Sequence, residues 1–148
     1  MTYANMKAFM ERYFEGYSKY SNKIQEIDKL DEFYTPDFIS TGYTHMQGKE
    51  YPLVRKGRNA YKDSLVRMHA DIEEIMTPQD IMIDEQKKKA VALVRVELIN
   101  QETMEHFGSD IIAFYQLILD EDKTIKIKSV GVFVDDPEGW NNFYFQNL

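Results

Sequence analysis

Residues 3–20, YANMKAFMERYFEGYSKY, carry Phe9, Met10, Tyr13, Phe14, Tyr17 and Tyr20 at three- and four-residue steps. That spacing sets a wide aromatic stripe along one face of a helix. From about residue 72 the pattern changes to long segments of strand character broken by short polar turns. Helices first and a strand meander afterwards predict an α+β fold, with the helices packed on one side of a mostly antiparallel sheet. Such a fold can enclose a pocket walled by tyrosines and aliphatic side chains.

The first helix is expected over residues 3–20. Ser21 or Asn22 is placed to cap a second, ending near Phe33, with Ile24, Ile27 and Leu30 on its buried edge. Pro36 and Asp37 stop that helix, and Phe38 to His45 read as a short strand. Residues 46–56, with Gly48 and Pro52, read as a loop. A third helix is predicted over Gly57 to Ala70, with Tyr61, Leu65 and Met68 on one face. Strands follow at about 72–84, 89–101, 104–120 and 124–135, joined by the polar turns Asp84–Lys87 and Asp120–Lys123. Pro78 has no N–H to donate, which predicts an edge strand or a bulge. The aromatic tail, with Trp140, Phe143, Tyr144 and Phe145, is expected to dock against the fold.

A chain of 148 residues reads as one domain, 1–148, and 43% hydrophobic residues supply a core for it. The net charge of −7 weighs against nucleic acid, which needs a clustered basic surface. Lys87, Lys88 and Lys89 are the longest basic run, and they fall in a turn between strands. With no cysteine there is no disulfide, thiolate nucleophile or cysteine metal site. His45, His69 and His106 are isolated from one another, so no metal site is expected. Lys7, Glu11, Arg12, Glu15 and Lys19 leave no apolar signal core in the first twenty residues, and no run has the length of a membrane span. A soluble cytoplasmic protein is expected.

One strand is apolar on both faces. Ile111, Ala113, Tyr115, Leu117 and Leu119 alternate with Ile112, Phe114, Gln116 and Ile118. Three helices and a tail cover one sheet face, so the other needs a partner. A second copy, in a homodimer through the open sheet face, is the simplest one.

The order of elements, with Phe33-Tyr34-Thr35-Pro36-Asp37-Phe38 between helix and strand, resembles the nuclear transport factor 2-like superfamily over nearly the whole chain. Gly57-Arg58 opening a helix and His69-Ala70-Asp71-Ile72 closing it are similar to its SnoaL-like and ketosteroid isomerase-like branch. The resemblance implies a cone: a strongly curved, cystatin-like sheet around the first helix, with an apolar cavity open at one end. Dimers through the sheet are common in such families. Members include isomerases, dehydratases, cyclases, epoxide hydrolases and proteins without catalysis.

Candidate residues follow from the same resemblance. Glu11-Arg12-Tyr13 resembles the segment carrying the donor tyrosine of ketosteroid isomerase, and Tyr115 falls where its second donor would sit. The position of that enzyme's carboxylate base falls near Gly42, which cannot take a proton, so its mechanism does not transfer. His69 is the histidine placed nearest a dehydratase-like role, and Asp71 matches an acidic position of the cyclases. Arg95 and Glu97 share a strand face with Val91, Leu93 and Ile99. Facing inward they would form a pocket ion pair like that of the epoxide hydrolase relatives; facing outward they are a surface pair. Tyr17, Phe38 and Val132 are expected to line the cavity. Val130 and Val134 would join Val132 inside, with a phase slip near Lys128-Ser129. The implied function is a lyase or isomerase, working without a cofactor on a hydrophobic oxygenated ring compound. Tyr13 and Tyr115 would polarise the substrate, and His69 or Asp71 would move the proton. The alternatives are a non-catalytic binding protein and an interaction module whose aromatic tail fills the mouth of the cone.

Overall fold

The structure is a computed structural model that describes residues 1–43 and 52–145. Helix α1 (Tyr3–Tyr20) has the predicted bounds, with the Thr2 hydroxyl accepting from the Asn5 N–H at its start. Its buried side chains, Met6, Phe9, Met10, Tyr13, Phe14 and Tyr17, are the aromatic stripe. Strand β1 (Tyr34–Gly42), strand β2 (Leu53–Lys56) and helix α2 (Arg58–Met68) follow. Strands β3 (Ile72–Asp84), β4 (Lys89–Asn100), β5 (His106–Leu119) and β6 (Ile125–Val134) form the meander, and helix α3 (Pro137–Phe145) ends the described chain. The six strands make one open sheet in the order β2-β1-β6-β5-β4-β3, antiparallel except where β1 runs parallel to β6. Helix α1 packs across the inner face of the curved sheet, and the core lies between the two. Among the described residues no helix is long and apolar enough to cross a membrane.

The second helix differs from expectation. Only a 3-10 turn, Ile27–Glu32, forms, and Ile24 is exposed instead of buried. Neither expected cap starts a helix: the Ser21 N–H closes α1 on the Tyr17 carbonyl, and the Asn22 side chain bonds β3. Strand β1 starts four residues before Phe38, and its pairing with β6 slips between Tyr34 and Ile39, around Pro36. Part of the expected 46–56 loop is strand β2, four residues paired to β1 and too short for alternation to announce. His45 and Gly48 lie outside the described residues.

The meander is as expected. Strand β3 is at the sheet edge, and its register shifts between Pro78 and Asp80, so the proline has both an edge and a bulge. Pairing of β5 with β6 runs from Gln116↔Ser129 to Leu117↔Ile127, leaving Lys128 as the extra residue at the phase slip. In α3, Trp140 and Phe143 dock on Phe107, with ring centroids 6.1 and 5.8 Å away. Outside, Leu93, Ile112, Phe114 and Phe133 stand 39–47% exposed on a face that no described helix or strand covers.

Gly16 lets α1 lie close against the Phe33 ring. A Cβ there would meet the Phe33 ring at 2.6 Å. Alanine ordinarily favours a helix over glycine by about 1 kcal/mol, but overpacking a core costs about 1–3 kcal/mol. Gly16→Ala is therefore expected to lower stability in a denaturant melt; a more stable variant would show that Phe33 yields freely.

Candidate functional site

Strand alternation puts Ile72, Glu74 and Met76 of β3 on the inner face, and Glu74 is only 6% exposed. A carboxylate on the apolar phase of a strand must be hydrogen-bonded to be tolerated. Here its Oε1 accepts from the Tyr17 hydroxyl of α1 and lies 3.4 Å from His69 Nε2. The histidine contact is an ion pair when the ring is protonated, though it does not meet hydrogen-bond geometry. His69 follows α2 and is itself anchored by a 2.8 Å bond between Nδ1 and the Ser21 carbonyl. Burial opposes charging this imidazole, but the Glu74 carboxylate and the Ser21 carbonyl outweigh it, and the pKa rises above 6.5.

The backbone of Glu74 is held too. Asn22 Nδ2 donates to its carbonyl at 2.8 Å, and its N–H donates to Asn22 Oδ1 at 2.8 Å. Ser18 does the same for Met76, accepting from its N–H at 3.0 Å and donating to its carbonyl at 3.2 Å. The free edge of β3 is thereby joined to the end of α1.

Glu74 borders a cavity of about 170 Å³ between α1, α2, α3 and the inner sheet face. Tyr13, Tyr17, Tyr61 and Tyr115 line it, with Val130, Val132, Val134, Arg55 and Trp140. The hydroxyls of Tyr13 and Tyr34 are bonded at 2.8 Å, and the rings of Tyr13 and Tyr115 meet edge to face at 5.7 Å. Burial pushes every one of these phenols up, Tyr61 to about 12 and Tyr13, Tyr17, Tyr34 and Tyr115 in the same direction; the Glu74 charge adds to the rise of Tyr17. They stay neutral O–H donors, facing a single carboxylate in the described lining. That set can take a proton from carbon at one point and donate hydrogen bonds to an oxygen at another. A larger hollow, about 740 Å³, lies outside around Arg95 and Asp110. It holds no buried titratable group, so the smaller inner cavity is the better candidate.

Of the residues singled out from sequence, Tyr13, Tyr17, Tyr115 and Val132 come together on the cavity wall. Phe38 does not reach it: its ring is fully buried against Tyr34 and Tyr61, at 4.3 and 5.0 Å. His69 stands behind Glu74 instead of at the surface of the cavity. Asp71 is exposed in the turn between α2 and β3, its carbonyl accepting from the Gln101 N–H. Arg95 points to the outer face, where it pairs with Glu97 at 3.1 Å and Asp110 at 3.3 Å. Gly42 does line the cavity, and the carboxylate comes from a different strand. Glu74 was missed, although its place between Ile72 and Met76 is the signal of a charge on an inward phase. Among the described residues no group of three or more His, Asp or Glu is placed to hold a metal ion.

No family model and no curated protein matches the sequence. Solved structures do. The ketosteroid isomerase-like protein of Erwinia carotovora atroseptica SCRI1043 aligns over 90% of this chain and 96% of its own, with TM-score 0.65 and 12% identity. A protein of Jannaschia sp. CCS1 assigned to the SnoaL-like polyketide cyclases gives TM-score 0.66 at 12% identity, over 89% and 86%. The chain has the nuclear transport factor 2-like fold. The epoxide hydrolase/cyclase-like enzyme SalBIII, of pyran ring formation in salinomycin, shares this fold at TM-score 0.63 and 19% identity, over 87% and 89%. At such identities the nuclear transport factor 2-like likeness establishes architecture, and the chemistry has to be argued from the site.

The His69–Glu74 contact has a measurable consequence. Because the folded-state pKa of His69 is raised, its contribution to stability is fully present below about pH 6.5 and is lost as pH rises through the folded value. In Glu74→Gln, burial acts against the Ser21 bond alone, so the pKa of His69 is expected to fall and that pH-dependence to vanish. NMR titration of the three histidines reads this directly; an unchanged His69 curve in Glu74→Gln would refute the coupling.

Proposed function

We propose that the chain is a lyase or isomerase, working without a cofactor on a compact, hydrophobic, oxygenated ring compound. The observation that carries this reading is Glu74: a buried carboxylate on the wall of a mostly apolar cavity, facing neutral tyrosine hydroxyls. In the step proposed, Glu74 takes a proton from the carbon beside a carbonyl. The electron pair moves onto the carbonyl oxygen, Tyr13 or Tyr115 donates a hydrogen bond to the enolate, and Glu74 returns the proton to carbon. His69 positions Glu74 and offsets its charge. The cavity volume of about 170 Å³ is below the roughly 300–1,000 Å³ of drug-sized ligand sites, which favours a one- or two-ring compound.

Exchange of the α-protons of 2-tetralone in D2O, followed by NMR, tests this step without knowledge of the natural substrate. The wild type is expected to accelerate exchange. Glu74→Gln should lose about 10²- to 10⁴-fold, the usual worth of a positioned base, and Tyr13→Phe on the order of 10²-fold. Exchange in Glu74→Gln as fast as in the wild type would end the proposal. A second reading, a non-catalytic binding protein, is favoured by α3, whose Trp140 and Tyr144 close one side of a small cavity. It predicts a 2-tetralone-induced rise in melting temperature with no acceleration of exchange.

The same chain is proposed to pair with a second copy through the outer sheet face. Leu93, Ile112, Phe114 and Phe133 are apolar there, while Arg95 and Asp110 beside them offer both charge signs to a two-fold partner. Sedimentation equilibrium is expected to give a dimer for the wild type and a monomer for Phe114→Asp; a monomeric wild type would refute the pairing.

A further inference from the structure

Strand β2 alternates, so that Val54 and Lys56 are exposed while Leu53 and Arg55 turn to the cavity. A guanidinium has five N–H donors and no acceptor, and on the partly buried wall of a cavity it favours an anion. Arg55 has none. Its side chain's one hydrogen-bond partner among the described residues is Met68 Sδ at 3.7 Å, a weak acceptor, and it makes no ion pair with a described residue within 4.0 Å. Glu74 is the one acid in the described lining, and it is committed to Tyr17 and His69. A second donor is equally idle: the buried Trp140 Nε1–H, on α3 in the same lining, has no partner among the described residues.

We infer that the ligand of this cavity carries one carboxylate, bound by the Arg55 guanidinium and the Trp140 N–H. This rests on the reading above, that the cavity takes an oxygenated ring compound, and narrows its substrate class to a ring acid. Two unmet donors call for an acceptor, and the charge on one of them calls for an anion. No lysine joins Arg55 in the described lining, so the charge balance is that of a monoanion and not of a phosphate dianion. The planar fork of arginine fits a carboxylate through two parallel hydrogen bonds. Anchoring the acid at Arg55 would orient the ring so that its reacting carbon faces the other charged group of the lining, Glu74.

The pair 4-cyclohexylbutanoate and its primary amide tests this, since the two differ in charge and hardly in shape. Calorimetry measures affinity, and Trp140, the single tryptophan, reports by fluorescence whether the probe enters the cavity. The carboxylate is expected to bind at least about 10-fold tighter than the amide, about 1.4 kcal/mol. Arg55→Gln should bring the two to equal affinity, and Arg55→Lys, which keeps the charge without the fork, should retain part of the preference. If Arg55→Gln fails to fold, the reduced preference of Arg55→Lys carries the test. Equal affinities in the wild type, or a full preference surviving in the Arg55 variant that folds, overturn the carboxylate and leave the proposed reaction standing. A Trp140 signal unmoved by either probe overturns both.

Discussion

One asparagine amide holds the site in place. Asn22 bonds both backbone groups of Glu74, at the unpaired edge of the outermost strand. An open edge is otherwise free to slip or to pair elsewhere. A slip of one residue would turn Glu74 out to solvent and bring Glu73 or Ile75 in, because side chains alternate with period two. Ser18 repeats the clamp at Met76, one step further along the same face. Helix α1 therefore does two jobs with two faces: its aromatic stripe fills the inner side of the sheet, and its end sets the register of β3.

That register brings together groups that are costly to bury singly. A carboxylate in an apolar wall is tolerated when donors satisfy it, and Glu74 has the Tyr17 hydroxyl with His69 behind. The surrounding phenols are buried deeply enough to stay protonated, so they supply hydrogen bonds without competing charge. Arg55 is the opposite case, a charge whose partner is missing within the described fold. Among its described residues the cavity thus has one paired carboxylate and one cation without an anion, an asymmetry that gives a ligand a direction.

Much of the architecture was legible because it rests on periodicity. The stripe from Phe9 to Tyr20, the long strands, the proline at an edge and the two-faced segment around Phe114 are all repeats of 3.6 or 2. The second helix misled because Ser21 and Asn22 have the chemistry of caps, but Ser21 closes α1 with its backbone N–H and the Asn22 side chain bonds β3. Strand β2 is too short to carry a period. In the site, Tyr13, Tyr17, Tyr115 and Val132 could be reached from helical stripe and strand phase. Asp71 and Arg95 could not be placed, because a turn residue has no phase and a strand residue has two faces. Glu74 was readable in principle, sitting between Ile72 and Met76, but two of its partners, Asn22 and Tyr17, are 52 and 57 residues away in sequence. Only the folded chain joins them.

The most direct measurement is a crystal structure with 2-naphthol bound, since that phenol has the shape and oxygen position of the enolate of 2-tetralone. The ligand is expected inside the inner cavity, its oxygen about 3 Å from the hydroxyl of Tyr13 or Tyr115 and the adjacent ring carbon facing Glu74. A ligand bound only on the outer sheet face, or lying in the cavity with its oxygen turned away from both tyrosines, would contradict the proposed chemistry.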